Sequence, residues 1–396
     1  MASDGAGSDL TGTEVAGTGA AALADIDPGR FRVELETWLD TEPPSLVAAC
    51  RPEPSFARRV EIMQALMSDL YDAGWARVGW PAELGGLGGT IRHRAVMWEA
   101  LARRGVQGMA LFEHLEVLAP TFAALGPPAL VAELLPEFLS GRQLWAQGFS
   151  EPNAGSDLAS LRTTAVRDGD EYVINGSKIW TSWAPYGTWC LLLTRTGDAA
   201  SRHRGLTAFV VDLRAPGVEP RAIVQANGTD ELAEVHFDDV RVPADRIVGE
   251  LNGGWAVAMH ILSHERGTFA WFRHCFQYQQ LLDTARTSSG RDDSGLGNAF
   301  LDLVSATSAG ADGIAAHASG TTLGPRAAFN KLLLCAAERS VHDWILGEDP
   351  DLAVGVQTPE VAIRRQEYLF SRIVTVYGGS QQMQLDTIAK QVLGLP

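Results

Sequence analysis

The sequence predicts a multidomain α+β chain in which helices come first, a β unit occupies the middle and helices return to the end. Apolar residues recur at helical spacing over 28–145 and again over 251–396, whereas 146–250 carries short runs of β-branched and aromatic residues divided by turn formers. Size agrees with this, because 396 residues exceed one ordinary domain and can bury more than one core.

Taken in order, residues 1–27 are rich in Gly, Ala, Ser and Thr and predict a flexible tail, since so few large apolar groups cannot offset the entropy of ordering. The stretches "FARRVEIMQALMSDLYDAGW" (56–75) and "PALVAELLPEFLSG" (128–141) predict amphipathic helices, with a Gly/Pro-rich break at "GWPAELGGLGG" (79–89). In the middle unit "EYVINGSKIWTS" (171–182), "TWCLLLTRT" (188–196), "GLTAFVVDL" (205–213) and "AEVHFDDVRVP" (233–243) predict strands. Asn175-Gly176 predicts a hairpin turn, because both residues tolerate positive φ. After "GELNGG" (249–254), helical periodicity resumes with "WAVAMHILSHERGTFAWFRHCFQYQQLLDTAR" (255–286), and "TSSGRDDSGLGNA" (287–299) predicts a linker between helices.

The formal net charge is −16, from 32 Lys and Arg against 48 Asp and Glu, which disfavours nucleic acid and anionic membrane as partners. Cys50, Cys190, Cys275 and Cys335 are widely spaced and predict buried thiols rather than a zinc site or disulfides. The first basic residue is Arg30, and neither a secretory nor a transit pattern precedes it. No apolar run is long enough to cross a bilayer, so the expectation is a cytoplasmic protein without a membrane span.

The stretch with the most chemical content is "QGFSEPNAGSDLASL" (147–161), where helix gives way to strand. A polar loop with glycines and the small hydroxyls of Ser150 and Ser156 can approach a flat, hydrogen-bonding ligand closely, although the same residues also make ordinary turns. Together with "NGSKIWTSWA" (175–184), "FDDVRVP" (237–243) and "VYGGSQQMQLDTIAKQVLGLP" (376–396), this loop resembles the acyl-CoA dehydrogenase family. The resemblance implies an N-terminal helical domain (28–145), a middle β-barrel-like domain (146–250) and a C-terminal four-helix bundle (251–396). It also implies an oxidoreductase of lipid metabolism that holds FAD between barrel and bundle as a homodimer or homotetramer. By the same matching, Gln147, Gly148, Phe149 and Ser150 line the isoalloxazine edge, with Ser156 near flavin or thioester. Trp180, Thr181 and Ser182 form a second flavin-contacting strand, and Gly379, Ser380 and Gln382 touch the dinucleotide. No metal is implied.

Many family members carry a catalytic glutamate directly after the tyrosine of the tail motif, where this chain has Gly378. Dehydrogenating an acyl thioester needs a base for the α proton, and glycine cannot supply one. One branch of the family keeps the carboxylate on the first helix of the bundle, and "LSHERG" (262–267) aligns Glu265 with that base and Arg266 with the arginine beside it. Independently of the family, Glu265 lies in an aromatic, apolar helix with Ile261 and Phe269 one turn away, which predicts a desolvated carboxyl of raised pKa. A solvated glutamate paired with arginine is the alternative. The resemblance assigns the Gly378 backbone N–H to the thioester oxygen, a role that glycine preserves.

Ser263, His264 and Glu265 are adjacent, but successive helix residues point about 100° apart and cannot form a triad. His260 and His264 share a face without an evident third ligand. The expected activity is α,β-dehydrogenation of an acyl-CoA or acyl-carrier thioester, branched or bulky, with electrons passing to an electron-transfer flavoprotein-type acceptor. A flavin-dependent monooxygenase or oxidase, and a non-catalytic subunit of a heteromeric dehydrogenase, are the alternatives. The sequence departs from the family in two places. The Arg-x-x-Phe-Gly motif, by which a neighbouring subunit holds FAD, is replaced by "ARTSSGRDDSG", where Arg286 or Arg291 is the candidate substitute. The Gln-x-x-Gly-Gly motif is not recognisable in 346–361.

Overall fold

The computed structural model describes residues 27–106, 110–288 and 292–396, without the side chains of 110–114, 269 and 270. All but the last residue of the tail expected over 1–27 lies outside the described residues, as does Arg291.

Among the described residues six helices come first: α1 (Pro28–Leu39), α2 (Pro44–Ala49), α3 (Phe56–Asp72), α4 (Ile91–Arg103), α5 (Ala110–Leu125) and α6 (Pro128–Leu139). Their starts are written in the sequence. Asp27 caps α1 ahead of Pro28, Ser55 caps α3, and Thr90 and His93 close a reciprocal cap on α4. Phe31, Leu35 and Leu39 recur at every fourth place on α1 and are fully buried, which is the periodicity that makes a one-sided helix.

Eight strands follow: β1 (Trp145–Gly148), β2 (Thr164–Asp168), β3 (Glu171–Ser182), β4 (Trp189–Arg195), β5 (Leu206–Asp212), β6 (Val218–Ile223), β7 (Leu232–Pro243) and β8 (Ile247–Val248). They form one sheet in the order β6-β7-β3-β2-β4-β5-β8, with β1 running parallel to β4. The hairpin predicted at Asn175-Gly176 is not there. The chain reverses at Gly169 (φ 64°) between β2 and β3, and Asn175 and Gly176 sit inside β3 at a shift of its register with β7. The cause is a close approach, since a Cβ on Gly176 would stand 2.7 Å from the Thr163 Cα. Asn175 instead joins β3 to the turn in β7, its amide donating to Asp239 Oδ1 at 2.9 Å and its carbonyl oxygen accepting from the Asp239 N–H at 2.9 Å.

The C-terminal helices are α7 (Gly254–Gly267), α8 (Phe269–Thr287), α9 (Asp293–Ala318), α10 (Ala327–Glu348), α11 (Pro350–Val354), α12 (Pro359–Phe370) and α13 (Gln381–Thr387), ending in a wide π turn over Ile388–Val392. The helix expected to carry both Glu265 and Phe269 is broken at Thr268, whose N–H and hydroxyl both donate to the His264 carbonyl. Glu265 therefore ends α7 while Phe269 begins α8. The linker expected over 287–299 is shorter, because Asp292 caps α9 through the Gly295 N–H. One apolar core joins the N-terminal helices to α7 and α8, with Trp98 of α4 meeting Phe272 of α8 edge-on at 6.3 Å. This core fixes the end of α7 against the rest of the molecule.

Candidate active site

Glu265 occupies the last turn of α7, one turn beyond the fully buried Ile261. Between α12 and α13 the chain turns through Gly378 and Gly379, with φ of 64° and 91°. A Cβ placed on Gly378 would stand 2.5 Å from Glu265 Oε1 and 3.1 Å from its Cδ, so the carboxyl of α7 occupies the space that a side chain at 378 would take. Both the positive φ and the missing side chain are used here. Arg266 Nε donates to the Gly378 carbonyl at 3.0 Å, and Gln384 Nε2 donates to the Gly379 carbonyl at 3.0 Å, fixing the turn from both sides. Among the described residues the Gly378 N–H has no acceptor.

Burial raises the pKa of Glu265 above the ordinary carboxylate value, while the charges of Lys331 and then Arg266 pull it down. Glu265 as a whole residue is half-buried, while its carboxyl is desolvated by its surroundings. Arg266 is itself pushed down by burial.

The strand side is built around a different carboxylate. Lys178 of β3 is fully buried, and its Nζ donates to the Phe149 carbonyl at 3.0 Å and to Glu151 Oε1 at 2.8 Å. Glu151 also accepts from the Arg162 N–H at 2.7 Å and the Thr163 N–H at 2.8 Å, and the Ile179 N–H donates to the Ser150 carbonyl at 2.9 Å. Burial acts to raise Glu151, but Lys178 and these hydrogen bonds outweigh it and hold the carboxyl below its usual range. Burial lowers Lys178 to about 8. The loop that begins with Gln147 and Gly148 of β1, and continues through the buried Phe149 and half-buried Ser150, is thereby anchored to β3.

Beyond Lys178 the register of β3 with β7 shifts, and Trp180 takes φ 60° with 56% of its surface exposed. It is not a core tryptophan. Thr181 is buried, and its hydroxyl has no hydrogen-bond partner among the described residues; Ser182 is half-buried. Ser380 caps α13 through the Met383 N–H, Gln382 is exposed, and Ser156 lies exposed on its loop. Arg286 is exposed and donates to Asp283. A pocket of about 220 Å³ lined by Asn153, Arg162, Gly176 and Ser177 borders the same loop but includes neither Glu265 nor Gly378.

The structure thus brings Glu265, Arg266, Gly378 and Gly379 into contact, and separately ties 147–151 to 178–179. The Ser263 hydroxyl donates to the His260 carbonyl at 2.7 Å and is not aligned with Glu265 in a triad. Sequence reasoning missed Lys331 of α10, whose Nζ lies 3.7 Å from the Tyr377 ring centroid. Its signal was a lone lysine on the apolar stripe of "AAFNKLLLC". His260 and His264 do share a face, and the residue missed beside them was His317; the three rings lie tilted against one another with centroids 4.8 and 4.6 Å apart, and burial lowers His264 to about 3.

Comparison with known proteins agrees with this architecture. Residues 30–142 match the acyl-CoA dehydrogenase N-terminal domain and residues 146–240 the acyl-CoA dehydrogenase middle domain. The chain belongs to the acyl-CoA dehydrogenase family. It is similar to the acyl-CoA dehydrogenase IpdE1 of Mycobacterium tuberculosis, at 36% identity over 93% of this chain and 98% of the relative. IpdE1 of Mycolicibacterium smegmatis matches at 34% over 94% and 98% of the two chains. Among solved structures, the Tcur3481-Tcur3483 steroid ACAD superposes with a TM-score of 0.76 at 28% identity, over 93% of this chain and 97% of that one. The ChsE4-ChsE5 complex of Mycobacterium tuberculosis gives 0.75 at 27%, over 93% and 97%. As an acyl-CoA dehydrogenase the chain is an oxidoreductase of an FAD-dependent family, and the fold of N-terminal helices, middle sheet and C-terminal helices is that family's. Among the described residues no helix is long and apolar enough to cross a membrane.

The residues present fit the flavin end of FAD. Thr181 offers a buried hydroxyl without a partner among the described residues, and Trp180 beside it offers an exposed indole. Of the two arginines expected to stand in for the Arg-x-x-Phe-Gly motif, Arg286 is exposed and engaged with Asp283, and Arg291 lies outside the described residues.

Proposed function

We propose that this chain catalyses α,β-dehydrogenation of an acyl-CoA thioester with Glu265 as the general base. The observation that carries the reading is the Glu265 carboxyl standing in the space beside Gly378, where the tail motif of other family members puts its glutamate. Its pKa is raised by burial, which gives the carboxylate more proton affinity than a solvated one, and the cations of Lys331 and Arg266 keep the ionised form accessible. The Gly378 N–H donates to the thioester oxygen and stabilises the negative charge that develops as the α proton leaves. Bound FAD supplies the acceptor for the hydride lost from the β carbon. Gln147 to Ser150, Ser156, Trp180 to Ser182, Gly379, Ser380 and Gln382 position it, with the Lys178–Glu151 pair holding the strand side in place. Electrons leave through an electron-transfer flavoprotein-type acceptor.

The acyl group is bulky and polycyclic rather than a straight chain. A solved relative similar over nearly its whole length is described as a steroid ACAD. A partner of different sequence completes the adenosine end of the FAD site, because a second copy of this chain would lack the same arginine motif. The ChsE4-ChsE5 relative is itself a two-chain complex.

The test is Glu265→Gln in the holoenzyme. Loss of thioester-dependent bleaching with the flavin spectrum intact is the expected outcome, and oxidation at the normal rate would refute the assignment. Expression alone and together with a candidate partner chain, read by flavin content, checks the heteromer.

A further inference from the structure

Lys331 needs a reason to be where it is. It lies on α10 with 3% of its surface exposed, and burying an ammonium costs several kcal/mol unless opposite charge compensates it. Its Nζ sits 3.7 Å from the Tyr377 ring centroid, a cation–π contact that holds the head group beside the turn at 377–379. A Cβ on Gly378 would be 3.6 Å from this Nζ and 2.5 Å from Glu265 Oε1, so ammonium and carboxyl flank the same small space from opposite helices.

Among the described residues, the charge of Lys331 reaches the carboxyls of Glu265 and Glu338. Glu338 is already taken. Arg273 of α8 donates to it at 2.7 and 3.2 Å, and His342 stands one turn further along α10. Glu265 forms no hydrogen bond or close ion pair with the described residues, and it feels Lys331 from α10 and Arg266 from its own helix. Arg266 is committed to the Gly378 carbonyl. His264, adjacent on α7, is kept neutral by burial and contributes no charge.

We infer that Lys331 is a positioning residue that acts through Glu265: held by the Tyr377 ring just out of hydrogen-bond reach, its charge keeps the buried carboxylate ionised without capturing it. An ammonium in direct contact would lower the basicity of Glu265 and occupy the lone pair that must take the α proton. Without that ammonium the balance shifts further toward the protonated acid, the form that cannot take the α proton. The inference rests on the assignment of Glu265 as base, but its central measurement needs no substrate.

The experiment is an infrared pH titration of the protonated carboxyl band that disappears in Glu265→Gln, made on the holoenzyme and on Lys331→Met and Lys331→Arg. Removing a cation favours the neutral acid, so the midpoint should rise by about one pH unit or more in Lys331→Met and return toward the parent in Lys331→Arg. The acid limb of the kcat/KM profile should move by the same amount. If Lys331→Met does not fold, Lys331→Gln makes the same comparison. An unchanged midpoint overturns the inference, and an equal rise in the Met and Arg variants overturns it too, since it marks packing rather than charge. Normal turnover by Glu265→Gln would instead remove the base assignment, leaving the electrostatic pairing of 331 with 265 measurable on its own.

Discussion

Glu151 and Glu265 each lie near a buried lysine, and they have opposite fates. Glu151, in the sheet, receives an ion pair at 2.8 Å and two backbone N–H groups, and its pKa is held down. Glu265, at the end of α7, receives charge without hydrogen bonds, and its pKa is raised. The difference is satisfaction rather than burial. A carboxylate whose lone pairs are filled is a structural tie, whereas one with lone pairs left over is available for chemistry.

The sharpest way to break this contrast is to remove one carboxyl at a time. Glu265→Gln should lower kcat by about a hundredfold to ten-thousandfold, the usual worth of a general base, with little change in thermal unfolding. Lys178→Met should do the reverse, leaving Glu151 buried and uncompensated at a cost of about 3 to 5 kcal/mol, read in the urea midpoint. A double Lys178→Met, Glu151→Gln variant should recover part of that loss. If Lys178→Met is as stable as the parent, the tie is ornamental and the contrast fails.

Gly378→Ala tests the shared space. A Cβ at φ 64° and 2.5 Å from Glu265 Oε1 strains the turn and displaces the base, so both stability and rate should fall, the former by about 1 to 3 kcal/mol. The pH profile sharpens the comparison further. Because Glu265 must be ionised to act and its pKa is raised, kcat/KM should fall on acidification at a pH above that of an ordinary glutamate; an acid limb at about 4.3 would contradict the desolvated site. The smallest effect belongs to Thr181→Val. Its hydroxyl bonds nothing in the chain alone, so the stability of the cofactor-free protein should hold or rise while flavin affinity weakens by about 0.5 to 1.5 kcal/mol.

Much of the fold could be read from the chain because its signals are local. The apolar stripe Phe31, Leu35, Leu39 and the cap at Asp27 each specify their helix within a few residues. Glu265 was legible for a related reason, as "LSHERG" lies in a strongly apolar helix and the tail motif lacks its acid. What escaped depended on distant neighbours. Asn175-Gly176 reads as a hairpin by its own chemistry, but Thr163 and β7 turn it into a bulge. The break at Thr268 has no proline to announce it. Lys331 looked like one lysine in an apolar run, and its approach to α7 and the 377–379 turn shows only in the folded chain.

The chain contains eleven tryptophans, of which Trp180 is the exposed one, and it stands at a strained backbone position beside the orphaned Thr181 hydroxyl. Its fluorescence should be red-shifted and open to aqueous quenchers in the isolated polypeptide, against a blue-shifted background from the rest. Anything that covers that indole would announce itself by a change in emission colour, giving the protein an internal dye for following assembly in real time without a label.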